Sequence, residues 1–204
     1  MTTRRDFLKT MTMASAGLAF GAGDVLGARA STRQRKVTDK VKIAYIGIGN
    51  RGEQIISDFA RTGMVEVVAL CDVDMGAAHT QKVMNQYPKA KRFRDFRQMF
   101  DKAGNDFDAV AIATPDHSHF PISMLALASG KHVYVEKPLA RTFYEGELLM
   151  QAALKRPNLA TQVGNQGHSE ANYFQFKAWM DAGIIKDVTA VTAPVSYTHL
   201  RAHE

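Results

Sequence analysis

Between residues 41 and 163, short, largely apolar runs alternate with stretches in which apolar side chains return every three or four positions. The runs at 41–46, 65–71, 108–113 and 132–135 are rich in Val, Ile, Ala, Leu and Tyr. Consecutive apolar residues in so short a run mark strands covered on both faces, since a half-exposed strand would alternate throughout. Shorter β-prone segments stand at 91–93 and 159–163, and helical spacing predicts helices over 54–61, 75–87, 96–103, 121–129 and 144–155. Strict strand-helix alternation predicts a doubly wound parallel α/β sheet of six strands with helices on both faces. Past it, the pattern predicts a helix over 171–182. The segment 187–193 reads as the first strand of a further sheet, an edge prone to aggregation if unpaired.

The 204 residues have room for one complete domain, a leader and the start of a second domain, and 46% hydrophobic content excludes disorder and fibre. The formal charge is +6, but Arg4, Arg5, Lys9 and Arg29 against Asp6 and Asp24 lie in the first thirty residues. Without those, 22 of the 26 bases face 18 of the 20 acids. So small and scattered a surplus can steer an anionic small molecule and excludes a nucleic-acid stripe. The single cysteine, Cys71, rules out an internal disulfide and lies in an apolar run, as a buried inert thiol would. No repeat, low-complexity tract or metal-ligand spacing occurs, and His117 and His119 are too close to form a zinc pair on one helical face.

Thr3-Arg4-Arg5-Asp6-Phe7-Leu8-Lys9 resembles a twin-arginine export signal at every position of its motif. The mild apolar stretch 11–23 is too short and too rich in Gly, Ala, Ser and Thr for stable membrane insertion, and Ala28-Arg29-Ala30 offers a small-x-small cleavage site. Residues 1–30 are thus expected to be a signal peptide directing a folded protein to the periplasm, with polar residues 31–40 as linker.

The first strand ends directly in Gly47-Ile48-Gly49-Asn50-Arg51-Gly52, and a helix follows. Strand, glycine turn and helix form a dinucleotide cradle of Rossmann type. Gly47 permits the turn, Gly49 lets backbone approach a pyrophosphate, and Gly52 packs helix on strand. Free N–H groups at the helix start, around Asn50 and Arg51, bind phosphate oxygens. Glycine-rich turns also serve methyltransferases, so a second element matters: Asp72 ends the second strand, 20 residues past Gly52. A carboxylate there accepts from adenosine ribose hydroxyls and repels a 2′-phosphate, which favours NAD over NADP. Asp74 reads as the N-cap of the next helix.

Ala113-Thr114-Pro115-Asp116-His117-Ser118-His119, then Gly130-Lys131-His132-Val133, then Glu136-Lys137-Pro138 follow in order at strand ends. Together they resemble the glucose-fructose oxidoreductase, inositol dehydrogenase and rhizopine-catabolism (Gfo/Idh/MocA) family over residues 41–193. The resemblance implies an NAD-dependent oxidoreductase that moves a hydride between a sugar or cyclitol carbinol and the nicotinamide. Lys137 would be the catalytic residue at the nicotinamide and substrate hydroxyl. Glu136 would lie near the ribose and nicotinamide, Thr114 and Pro115 would pack against the dinucleotide, and His119 would order their loop. Hydride removal from a carbinol requires that its hydroxyl proton be accepted, and a lysine beside a positive ring gives up its own proton more readily. Proline at 138 removes a donor and fixes the turn, often through a cis bond. His117 and His132 are read as surface or structural residues.

Gln162 to Ser169 resembles the family's crossover into an α+β substrate domain, with Asn165, Gln166 and His168 as candidate substrate contacts and Ser169 as a competing helix N-cap. In the family that domain carries an acid/base pair and the sheet through which homo-oligomers form. Both are expected beyond this sequence, so residues 164–193 read as a truncated start and the chain is expected to bind NAD weakly without turnover. Residues 195–204, VSYTHLRAHE, back-translate to a string resembling a transposase-type sequencing adapter, so 194–204 read as a non-native tail and His199 and His203 as no metal site. Some relatives use transient oxidation for elimination and hydration and act as glycoside hydrolases. A non-catalytic dinucleotide-binding protein is the further alternative.

Overall fold

The order β3-β2-β1-β4-β5-β6 describes one six-stranded sheet in the computed structural model, which describes residues 40–192. The signal reading for 1–30, all but the last residue of the linker, and the foreign-tail reading for 194–204 lie outside the described residues. β1 (Val41–Ile46), β2 (Val65–Cys71), β3 (Lys91–Phe93), β4 (Ala109–Ile112) and β5 (His132–Glu136) pair in parallel, and β6 (Thr161–Gly164) lies beside β5. Residues Ile43 to Ile46 and Ala109 to Ile112 are all buried, which is why the end of β1 and all of β4 read as apolar runs, while Lys42 near the start of β1 is exposed. Register pairs Tyr45 with Leu70 on one side and with Ala111 on the other, so β1 is the hub of the sheet.

Each crossover is a helix whose apolar stripe faces the sheet. In α1 (Arg51–Arg61) the buried residues are Gly52, Ile55 and Ile56, at the spacing of one helical face. The aromatic ring of Phe59 meets Tyr45 and Tyr134 edge-on, at centroid distances of 6.3 and 5.3 Å. α2 (Ala78–Gln86) buries Thr80, Val83 and Met84, and α3 (Phe96–Ala103) buries Met99, Phe100 and Ala103. α4 (His119–Ala128) and α5 (Phe143–Leu154) complete the layer, α5 starting from a capping box in which Thr142 and Glu145 exchange side-chain-to-backbone bonds.

Helix starts differ from the pattern. The first helix begins at Arg51 rather than 54, so Gly52 sits inside its first turn. The second begins at Ala78, not 75, and its N-cap is Ala77, so Asp74 is not a cap. The Thr80 hydroxyl donates to the carbonyls of Asp74 and Ala77, both at 2.9 Å, and this turn consumes the residues that helical spacing had assigned to the helix.

The chain divides at Gln162 into two compact units. In the second, a 3-10 turn (Gln166–Ser169) leads to α6 (Ala171–Asp181), whose N-cap is Glu170 rather than Ser169, because the 3-10 turn occupies Ser169. The strand expected over 187–193 is not formed among residues 187–192. A strand needs a neighbour for its backbone groups, and Asp187 instead turns the chain with φ +54°. No helix among the described residues is long and apolar enough to cross a membrane.

Candidate cofactor and active site

β1 lies between β2 and β4, so the chain winds away from it in opposite directions and leaves a crevice at the carboxyl ends of the strands. The glycine turn sits there, tied down by a bond from the Gly47 N–H to the Cys71 carbonyl, 2.8 Å. Gly47 has φ +79°, and a Cβ on it would come within 2.6 Å of the Ala113 backbone. A Cβ on Gly52 would lie 2.0 Å from the Gly47 carbonyl oxygen, so the helix can start against the strand only with glycine there. At the apex Asn50 is held at φ +45°, ψ −104°, outside the favoured regions for a residue with a side chain. Among the described residues the N–H groups of Gly49, Asn50 and Arg51 donate to no partner. These are unpaired donors at a helix N-terminus, where backbone dipoles favour an anion.

Asp72 is half-buried beside this turn. Its Oδ2 accepts from the Ile48 N–H at 2.9 Å and its Oδ1 from the Asp74 N–H at 3.0 Å. A carboxylate has about four acceptor sites, so two remain for ribose hydroxyls.

On the other flank, β4 runs into Thr114, Pro115 and a 3-10 turn (Asp116–Ser118), and β5 ends at Glu136. His119 opens α4 fully buried. Its Nε2 lies 2.8 Å from the Thr114 carbonyl oxygen and its Nδ1 2.6 Å from that of Pro138. One ring therefore clamps the loop after β4 to the turn after β5. The Thr114 hydroxyl oxygen is buried and has no hydrogen-bond partner among the described residues, so it is available to a ligand in the crevice. Lys137 stands exposed directly beyond β5, and its bond to Pro138 is cis, as the turn reading expects.

Glu136 is 5% exposed and meets Arg51, whose Nε and Nη2 donate to its Oε1 at 3.1 and 3.0 Å, with the Tyr134 hydroxyl donating to the same oxygen at 3.3 Å. Burial works to lower the Arg51 guanidinium's pKa, but the hydrogen bond and charge of Glu136 outweigh it and the value rises. Burial and the neighbouring carboxylate both raise the Tyr134 phenol. Unpaired helix-start donors, glycines with no room for a Cβ, a carboxylate with spare acceptors and an orphan hydroxyl make a donor set that fits a dinucleotide.

Residues 41–165 match the family model for the Gfo/Idh/MocA oxidoreductases, described as an oxidoreductase family with an NAD-binding Rossmann fold. The chain belongs to the Gfo/Idh/MocA family. It is 31% identical over 147 residues to inositol 2-dehydrogenase of Salmonella typhimurium, covering 71% of this chain and 43% of that protein. It is 32% identical over 162 residues to an α-N-acetylgalactosaminidase of Shewanella oneidensis, covering 70% and 35%. Among solved structures, scyllo-inositol dehydrogenase from Lactobacillus casei with bound NAD(H) and scyllo-inositol superposes with TM-score 0.64 at 27% identity, covering 74% of this chain and 44% of that one. The chain thus spans less than half the length of each of these relatives.

Within this Gfo/Idh/MocA domain the structure brings together Gly47, Gly49, Asn50, Arg51, Gly52 and Asp72 on one side, and Thr114, His119, Glu136 and Lys137 on the other. Pro115 is exposed and leads into the 3-10 turn. Arg51 keeps its backbone N–H, read from sequence as a phosphate contact, unpaired among the described residues, while its side chain donates to Glu136 and Gln54. Asn165 belongs to the second unit, exposed, its N–H donating to the Val163 carbonyl at 3.0 Å. Gln166 and His168 lie in the 3-10 turn that follows it. One neighbour escaped sequence reading: His79, in the first turn of α2, whose ring stands 2.2 Å from where a Gly49 Cβ would be. Its place one crossover after the glycine turn, at the same sheet edge, is the signal that could have found it.

Proposed function

We propose that this chain carries the cofactor-binding and lysine-bearing part of an NAD-dependent oxidoreductase acting on a hydroxyl carbon of a sugar or cyclitol. The observation that carries the reading is the placement of Lys137 at the carboxyl end of β5, with Glu136 before it tied across to the first turn of the glycine-turn helix. When bound, the nicotinamide supplies a hydride acceptor. Lys137 takes the hydroxyl proton on its amine as the carbinol C–H bond breaks. The unpaired N–H groups at 49–51 hold the pyrophosphate, Asp72 holds the adenosine ribose and disfavours a 2′-phosphate, and the Thr114 hydroxyl and Glu136 orient the nicotinamide end. Asn165, Gln166 and His168 serve as substrate contacts, and the whole protein works as a homo-oligomer. The inositol dehydrogenases among the relatives support a cyclitol or sugar.

Calorimetry of the folded chain with NAD and NADP is the direct test. Saturable NAD binding that exceeds NADP binding is expected, and a folded sample with no NAD affinity would overturn the reading. The α-N-acetylgalactosaminidase among the relatives favours a second outcome, glycoside cleavage by transient oxidation. Net NADH formation from a simple polyol supports the first, and cleavage of a glycoside with no net cofactor turnover supports the second. Turnover of neither by the full-length protein, if it binds NAD, favours a non-catalytic binding protein. The Thr3 to Lys9 motif supports twin-arginine export to the periplasm, tested by fusing residues 1–40 to a reporter in cells with and without that export route.

A further inference from the structure

We infer that Arg51 is a positioning residue. It anchors Glu136, and through it the Lys137 turn, to the start of α1, so that the pyrophosphate and nicotinamide ends of the site are held in register. This rests on the reading of the crevice as an NAD site, and it assigns the Arg51 side chain a role other than phosphate ligand, while its backbone N–H stays with the pyrophosphate.

A cation in the first turn of a helix stands at the wrong end of the helix dipole and needs a compensating anion. The anion here is a carboxylate from the far side of the crevice, 85 residues later in the chain. All three guanidinium nitrogens are engaged, Nε and Nη2 by Glu136 Oε1 and Nη1 by the Gln54 amide oxygen at 2.9 Å. Glu136 in turn is too buried to carry its charge without a fixed partner. Arg51 and Tyr134 both donate to Oε1, while Oε2 accepts from nothing among the described residues. The pair therefore fixes the orientation of a carboxylate whose second oxygen is spare, one residue before the lysine. A phosphate-binding arginine would instead leave its fork open.

The test is a double-mutant cycle on the folded chain with Arg51→Lys, Glu136→Gln and the pair, titrated calorimetrically with NAD and with ADP-ribose, which lacks the nicotinamide. If the pair acts as one positioning unit, NAD affinity falls about fivefold in each single variant and no further in the double. ADP-ribose affinity stays within about twofold of wild type throughout. A second readout is acylation of the Lys137 amine followed by mass spectrometry. NAD should protect that amine in wild type and fail to do so in the variants, at NAD concentrations that saturate each. Losses that multiply in the double variant, or an Arg51→Lys variant that loses ADP-ribose as strongly as NAD, would overturn the assignment and make Arg51 a phosphate ligand. Variants that match wild type in every titration would sink the positioning role alone. A wild-type chain that binds neither compound would sink the crevice reading and this inference with it.

Discussion

The imidazole Nδ1 of His119 lies 2.6 Å from the carbonyl oxygen of Pro138, across 19 residues of chain, while its Nε2 reaches Thr114. A neutral ring donates to only one of two facing carbonyls. Removing the ring leaves two carbonyls without this partner and a void under the start of α4. His119→Ala is expected to cost about 2–4 kcal/mol of stability by denaturant titration. It should also make the Lys137 amine more reactive toward acylation without NAD. A variant as stable as wild type would show that the clamp is not needed.

Asp72 holds the glycine turn through Ile48 and offers spare acceptor sites to a ribose. Asp72→Asn keeps the shape and removes the charge. NAD affinity is expected to fall about tenfold, and the preference for NAD over NADP to shrink by at least about tenfold, since repulsion of a 2′-phosphate goes with the charge. Unchanged discrimination between the two cofactors would assign selectivity to another residue.

Two glycines make opposite predictions for the same substitution. A Cβ at Gly52 would drive into the Gly47 carbonyl, and Gly52→Ala is expected to destabilise by about 3 kcal/mol or more. Gly146 lies inside α5 with nothing within 4 Å of its would-be Cβ and no positive φ. Gly146→Ala should stabilise by about 0.5–1 kcal/mol, read as a higher melting temperature.

Asp95 caps α3 by accepting from the Arg97 N–H at 2.9 Å. Burial pushes its carboxyl pKa upward, but the Arg97 hydrogen bonds and charge outweigh burial and hold it below the usual value. A depressed folded-state pKa contributes stability that is present above the unfolded value, near pH 4, and lost as pH falls through the folded value. With the side chain 31% exposed, solvent screening keeps the effect small. Asp95→Asn retains a cap but not the charge. Its deficit against wild type should be measurable at pH 7 and vanish as pH falls through the folded value, and a deficit independent of pH would remove the electrostatic account.

Cys71, chiefly through burial and then through the charges of Asp95 and Asp72, has its thiol pushed up to about 12. Alkylation at pH 8 is expected to be slower than in the unfolded chain by on the order of a thousandfold, and to accelerate only as denaturant unfolds the sheet. Fast labelling of the native protein would mean that β2 is not covered on both faces.

The middle of the sheet was legible because β1 and β4 are buried and read as apolar runs, whereas the edge strands β3 and β6 are largely exposed and were read mainly from the strand-helix rhythm. The glycine turn and Asp72 were legible because they sit at strand ends, at fixed offsets from those runs, whereas Lys137 was singled out only through the family resemblance of its motif. Asp74 misled because a cap and a turn residue look alike in sequence, and only the Thr80 hydroxyl, six residues on, decides between them. The Arg51–Glu136 and His119–Pro138 contacts join segments that become neighbours only through the strand order, so local pattern carries no trace of either. The strand expected near residue 187 shows the limit in the other direction, since β-prone residues do not make a strand without a partner.

Because the crevice closes only when β5 arrives beside β4, a growing chain can bury most of its hydrophobic centre before it owns a usable ligand site. A nascent polypeptide that has emerged only as far as Ile112 already has β1 to β4, yet lacks the carboxylate that answers Arg51. Full NAD affinity is therefore expected only once the chain through Pro138 has joined the sheet.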